Sequence, residues 1–184
     1  QNIAVTRWSE DAAMDRDGSY IYLRDVESGQ FWSSAYQPTQ KTPKTYEALF
    51  SQAWVEFKRR DHGIDTHTEI AVSPEDDIEL RRVTITNRSR GRRLIELTSY
   101  AEVVLNDSAA DHAHRAFSNL FVETEIIRSH QAILCRRRPR SEKESFPLLL
   151  HLMAVHGDAV LGASYETDRG KFLGRGRTVV HPAA

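Results

Sequence analysis

Residues 94–105 read LIELTSYAEVVL, and they decide the fold. Ile95, Leu97, Ala101, Val103 and Leu105 take the odd positions and are apolar, with Ser99 as the exception, while Glu96, Thr98, Tyr100 and Glu102 fall between them. A period of two places those sets on opposite faces of an extended chain, so the segment predicts one long strand with a buried side. Just upstream, DIELRRVTITN (77–87) sets Ile78 and Leu80 on one phase and Val83 and Ile85 on the other, which predicts a β-bulge at Arg81 and Arg82. NRSRGRR (87–93) then reads as a hairpin connection with Gly91 available for positive φ. Turn signals around Gly29, Gly63 and Gly157 extend the pattern. Short strands between such turns, without long helices, predict an all-β fold, an antiparallel β-sandwich.

Three other stretches complete the outline. Residues 46–57 fit a helical stripe (Tyr46, Leu49, Phe50, Ala53, Trp54, Phe57) and also two alternating runs, so periodicity leaves helix and strand open. FPLLLHLMAV (146–155) reads as a core strand, being about half the roughly 20 residues a membrane helix needs. QPTQKTPKT (37–45), polar with two prolines, reads as a loop.

The chain has 184 residues, enough for one domain with a single core. Lys and Arg number 25 against 26 Asp and Glu, a net charge of −1 that argues against a nucleic-acid partner. A single cysteine, Cys135, allows neither an internal disulfide nor a cysteine-based zinc site and fits a reducing compartment. A soluble, cytoplasmic fragment with no membrane insertion is the expectation. The opening Gln1, without methionine or apolar leader, suggests a piece of something longer.

The search for chemistry narrows quickly. AMDRDG (13–18) brushes against a calcium loop, but with Gly18 as the sixth position the first ligand position is Ala13 and the twelfth is Arg24, so both ends of the cage are missing. In DHAHRAF (111–117), His112 and His114 would share a strand face with Asp111 beside them, and only His62 or His67 could supply a third metal ligand. Histidines that simply make hydrogen bonds are the plainer reading, and no metal is assigned. There is no G-x-S-x-G elbow, GRGRT (174–178) lacks the phosphate-loop lysine, and RRRPR (136–140) reads as a solvated turn. What remains is the aromatic and acidic stretch 7–36, with Arg7, Trp8, Asp11, Asp15, Asp17, Tyr20, Tyr22, Trp32 and Tyr36. Flat rings flanked by carboxylates suit sugars, whose C–H faces are weakly apolar and whose edges are polar. Core filling competes with that reading. Alternation in SYIYLRD puts Tyr20 and Tyr22 on one face and Ile21 and Leu23 on the other, which separates the tyrosines from the aliphatic layer.

Five stretches together carry a resemblance: TRWSEDAAMDRDGSYIYLRDVESGQFWSSAYQPT (6–39), RRDHGIDTHTEIAVSPEDDIELRRVTITNRS (59–89), ELTSYAEVVL (96–105), HRAFSNLFVETE (114–125) and FLGRGRT (172–178). They resemble the β-sandwich domain that precedes the catalytic barrel in glycoside hydrolase family 94, formerly glycosyltransferase family 36, in the version found within bacterial cyclic β-1,2-glucan synthases. The resemblance implies an antiparallel super-sandwich similar to the galactose-mutarotase fold, one domain over 1–184, truncated at its N-terminal edge. It also implies two strands, 46–50 and 53–59, in the ambiguous segment. Family phosphorylases cleave a glucosidic bond with phosphate, inverting the anomeric centre, and their acid lies on a helical barrel that this chain lacks. No catalytic residue is therefore carried over.

The function implied is that of an accessory, carbohydrate-associated domain, inactive alone, within a glycosyl-transferring enzyme that makes or phosphorolyses β-glucans. Its expected partners are a β-glucan or oligosaccharide, the parent's helical barrel, and a second copy in a homodimer. No cofactor is expected in the fragment, phosphate or a nucleotide-sugar being the parent's substrate, and the parent is expected at a bacterial inner membrane. Carbohydrate contacts are expected from Trp8, Asp11, Trp32 and Tyr36, and, by analogy with loops that reach an active-site rim, from His112, His114, Phe117 and Asn119 in DSAADHAHRAFSN (107–119). The alternatives are a stand-alone carbohydrate-binding module and a dimerisation scaffold.

Overall fold

The computed structural model describes residues 3–11, 13–157 and 160–183. Its strands, in chain order, are β1 (Ile3–Thr6), β2 (Ser19–Asp25), β3 (Phe31–Ser33), β4 (Thr45–Phe50), β5 (Trp54–Asp61) and β6 (Ile64–Val72). They continue as β7 (Glu79–Asn87), β8 (Ile95–Ala101), β9 (Val103–Asp107), β10 (Val122–Ile127), β11 (Ala132–Arg137) and β12 (Leu149–Leu152). Three short helices accompany them: α1 (Ser108–Ala113), α2 (Arg115–Asn119) and α3 (Arg169–Leu173). The fold is all-β. The chain divides into two compact units, Tyr20–Tyr100 and the remainder, Gln1–Ser19 with Ala101–Ala184.

The Tyr20–Tyr100 unit is a two-layered sandwich. One layer is the antiparallel sheet β4-β5-β6-β7 and the other is β3-β2-β8. β5 turns into β6 through His62 and Gly63, at φ 49° and 83°, while Asp61 pairs with Ile64. A two-residue turn with both φ positive matches the right-handed twist of the strands it joins, and glycine takes its second place without steric cost. The core forms where the layers meet: Leu23, Trp32 and Ile64 are fully buried, with Ile85, Ile95 and Leu97 packed around them. Burying each such side chain contributes roughly 1.5–3 kcal/mol. β2 is covered on both sides, because Tyr20 and Tyr22 are as buried as Ile21 and Leu23, and Tyr20 stacks on Tyr100 at 6.1 Å between ring centres.

The other unit contains the ladder β1-β9 and the sheet β10-β11-β12. Its helices start on carboxylate caps: Asp107 Oδ1 accepts from Ala110 N–H at 3.0 Å for α1, and Asp168 Oδ1 accepts from Gly170 N–H at 2.7 Å for α3. α3 ends at Gly174, with φ 80°, where an added Cβ would come within 2.7 Å of the Ala183 Cβ.

Several expectations change. The long strand 94–105 is two strands, β8 and β9, separated at Glu102, where the chain stops pairing with β2 and begins pairing with β1, and the Glu102 carboxylate meets two arginines. No bulge lies at Arg81 and Arg82: β6 and β7 pair without a register shift from Ile64↔Asn87 to Val72↔Glu79, and the change of phase arises because Ile78 and Leu80 are exposed. Residues 88–94 join strands of different sheets instead of closing a hairpin, and Gly91 is not among the glycines of positive φ. The run 146–155 supplies only β12, at the edge of its sheet, with Leu148, Leu150 and Leu152 exposed. At Gly157 there is no hairpin among the described residues, and 158 and 159 lie outside them. Residues 45–61 do form two strands, as the resemblance implies.

Candidate functional site

The most constrained polar constellation lies in the unit that holds α1 and α2. Arg7 follows β1, its backbone N–H donates to the Glu102 carbonyl at 2.8 Å, and its side chain is only 6% exposed. The guanidinium forks onto Asp111, Nε to Oδ2 and Nη2 to Oδ1, both at 3.0 Å. Nη1 donates to Glu102 Oε2 at 2.5 Å and Nη2 also to Asn119 Oδ1 at 2.8 Å. Arg169, at the start of α3, donates from Nε to the other Glu102 oxygen at 2.6 Å. Two guanidinium groups thus balance two carboxylates. Burial alone lowers an arginine's pKa, but the bonds and charges of Asp111 and Glu102 outweigh it and raise that of Arg7. Burial likewise works to raise the Asp111 carboxyl's pKa, and Arg7, with a hydrogen bond from Ser118, holds it below the ordinary range.

The network anchors α1 through Asp111 and the end of α2 through Asn119. A second anchor comes from β11, where buried Arg137 donates from Nη1 to the carbonyls of Ser118 at 3.0 Å and Val104 at 3.2 Å. On the outward side of the same segment His112, His114, Phe117 and Leu120 are exposed, and Phe117 packs edge-on against Phe121 at 5.2 Å. This arrangement holds two imidazoles and a phenyl ring at the surface on a backbone fixed from behind. Such groups can bond to hydroxyls and cover apolar faces.

The eight expected sugar contacts are divided between the two units. Trp8 is 65% exposed, beside the Arg7 anchor, whereas the Asp11 carboxylate forms its own turn, accepting from Met14 N–H at 3.0 Å and Ala13 N–H at 3.2 Å. His112 and His114 do not share a strand face, because they sit in α1 and at its C-cap. Asn119 is an acceptor for Arg7. In the Tyr20–Tyr100 unit Trp32 is 0% exposed at the centre of the core, which rules its ring out as a sugar platform, while Tyr36 is half exposed against Tyr46. Glu102, Arg137 and Arg169 were not expected, and neither was an aromatic row of Tyr46, Phe57 and Phe50. No local pattern marks the Arg7 partners, which lie 95 to 112 residues away along the chain.

His62 packs on Trp32 at 5.9 Å, and His67 Nε2 lies 2.7 Å from Glu56. Among the described residues no three His, Cys, Asp or Glu side chains gather as a metal could require. Burial raises the Cys135 thiol's pKa, as befits a core residue. None of the described helices is long and apolar enough to cross a membrane.

Comparison with known proteins places these features in a family. The family model "Glycosyl hydrolase 94, supersandwich domain" matches residues 1–184. The chain is 36% identical over 181 residues to the cyclic beta-(1,2)-glucan synthase NdvB of Rhizobium meliloti (strain 1021), covering 98% of this chain and 6% of that protein. It is 27% identical to the solabiose phosphorylase of Paenibacillus borealis, over 84% of this chain and 19% of that enzyme. It is 26% identical to the N,N'-diacetylchitobiose phosphorylase of Vibrio proteolyticus, over 98% of this chain and 22% of that enzyme. The chain therefore spans a quarter or less of the length of these relatives.

Proposed function

The chain belongs to the glycosyl hydrolase family 94 supersandwich domains, and from that premise we propose that it serves as a non-catalytic part of a larger glycosyl-transferring enzyme that makes or phosphorolyses β-glucans. In this reading all of 1–184 acts as one accessory β-sandwich. Its α1–α2 segment faces the parent's helical barrel or the glucan held there, and the domain needs no cofactor of its own. Phosphate or a nucleotide-sugar is then a substrate of the parent, which sits at a bacterial inner membrane with this part on its cytoplasmic side.

The observation that carries the reading is the Arg7 network. A buried ion cluster costs several kcal/mol of desolvation per charge, so it adds little net stability and is better explained by the geometry that it imposes. Here it immobilises a short segment whose far side is exposed. In the whole enzyme, His114→Ala and Phe117→Ala should lower turnover about tenfold or more while leaving the urea midpoint unchanged, since both side chains lie outside the core. Unchanged turnover in both variants would remove the segment from the active-site rim. The 184-residue chain alone should neither consume nor release phosphate with glucose-containing substrates, and turnover by it would overturn the accessory role.

A further inference from the structure

Three guanidinium groups gather on one ring. The guanidinium carbons of Arg137, Arg138 and Arg140 lie 5.4, 5.5 and 6.0 Å from the ring centre of Phe121, just before β10, and that of Arg137 lies also 5.5 Å from the ring of Phe146. The run 136–140 is thus not wholly the solvated turn that its charge suggests, because Arg137 belongs to β11 and is only 8% exposed. A guanidinium held over a ring presents its flat face to the aromatic surface and keeps the N–H groups of its edge free to donate. Arg137 spends Nη1 on the carbonyls of Val104 and Ser118, whereas its Nε and Nη2 make no hydrogen bond among the described residues and are not sealed from solvent.

The charges around Phe121 do not balance. Arg140 is neutralised by Glu144, which accepts from its Nη2 at 3.1 Å and from its backbone N–H at 2.7 Å. Arg137 and Arg138 have no counterpart of that kind, since among the described residues neither forms an ion pair. Asp111, whose charge is felt at Arg137, is forked onto Arg7, and Arg136 points to the other face of its sheet, where it pairs with Glu123. Burial, and after it the like charge of Arg140, lower the Arg137 pKa against the pull of Asp111 and Glu144. A charge held out of water without a counter-charge is costly, so an anion from outside the described residues would relieve it. A carboxylate would offset only one of the two surplus charges. A phosphate group carries roughly −1.5 to −2 near pH 7 and offers several oxygens to guanidinium forks, which matches both.

We propose that Arg137 and Arg138, carried on the ring of Phe121 and backed by Arg140, bind the phosphate group of a small molecule, either inorganic phosphate or a phosphate monoester. The site is built within one unit of the chain and does not depend on the α1–α2 segment reaching an active site. The test is isothermal titration calorimetry of the 184-residue chain with inorganic phosphate and with methyl phosphate, at an ionic strength held constant with chloride. Binding should fall in the millimolar range or tighter. Arg138→Gln should weaken it about tenfold, equivalent to about 1.4 kcal/mol, at an unchanged melting temperature, whereas Arg136→Gln should leave it as it is. Arg137→Lys keeps the charge and loses the fork, and should weaken binding several fold; where that variant fails to fold, the exposed Arg138 decides. Methyl phosphate binding as tightly as inorganic phosphate assigns the site to a monoester, and tighter inorganic phosphate assigns it to the free ion; both uphold the site. Absence of heat with both ligands overturns the proposal, as does undiminished affinity in Arg138→Gln. Acetate binding as tightly as phosphate overturns it too, by pointing to a protein carboxylate as the missing counter-charge.

Discussion

The Arg7 cluster and the outer face of β5-β6-β7 use the same chemistry, arginine against carboxylate, in opposite surroundings. Around Arg7 the side chains of Glu102 and Asp111 are less than a tenth exposed, and five charge-assisted bonds converge on residues brought from three parts of the chain. On the sheet face, Arg60 and Arg88 share Asp65, and Arg82 forks onto Glu69 with both bonds at 2.7 Å, yet these arginines are in contact with water. The bond lengths hardly differ. What separates the regions is where a charge goes when its partner is removed: into water on the sheet face, into a low-dielectric interior near Arg7.

That contrast can be broken most directly at Arg7. Arg7→Met strands the buried Asp111 carboxylate and leaves Glu102 to Arg169 alone, and should lower the unfolding free energy by about 3–5 kcal/mol in urea titration. A loss near the 1 kcal/mol of a surface pair would show that the cluster is wet.

A middle-sized effect should appear with pH. The Asp65 pKa is pulled from its ordinary 3.8 to about 2, first by the Arg60 hydrogen bond, then, against burial, by Arg88. A carboxyl depressed in the folded state contributes its full stability above its unfolded pKa and loses it as pH falls through the folded one. Stability of the native chain should therefore decline from about pH 4 towards pH 2, and Asp65→Asn should flatten that decline while lowering stability at pH 7, where the carboxylate's contribution is fully present. Asp111, also depressed, should behave the same way, with its loss accompanied by faster amide exchange in α1. Equal slopes in the native chain and Asp65→Asn would deny Asp65 its part.

The smallest effect belongs to Arg82. Its Glu69 partner keeps its hydration when Arg82→Ala is made, so the urea midpoint should not move measurably, and a clear shift would mean that this face is covered in solution.

How much of this was legible beforehand follows from how local each signal is. The turn at His62 and Gly63 could be read because turn chemistry acts over a few residues, whereas alternation left β4 and β5 open between helix and strand and only the family resemblance implied them. The bulge at Arg81 and Arg82 failed on the same evidence, since apolar Ile78 and Leu80 imply burial only if something covers them, and they are exposed. Trp32 and Tyr36 looked alike as sugar-facing rings, but one fills the core and the other reaches the surface. Along the chain they are four residues apart, and nothing between them encodes which layer each will meet.

Sequence alone determined the extended, alternating backbone and the family to which the chain belongs, because both are written in residue order and short-range sterics. Tertiary structure decided the rest: that the chain would change strand partners at Glu102, that Arg7 would find Asp111 and Asn119, and that Tyr46 and Phe50 of β4 would share a face with Phe57 of β5. Those outcomes depend on groups distant in sequence becoming neighbours, and on which of them lose their water when they do.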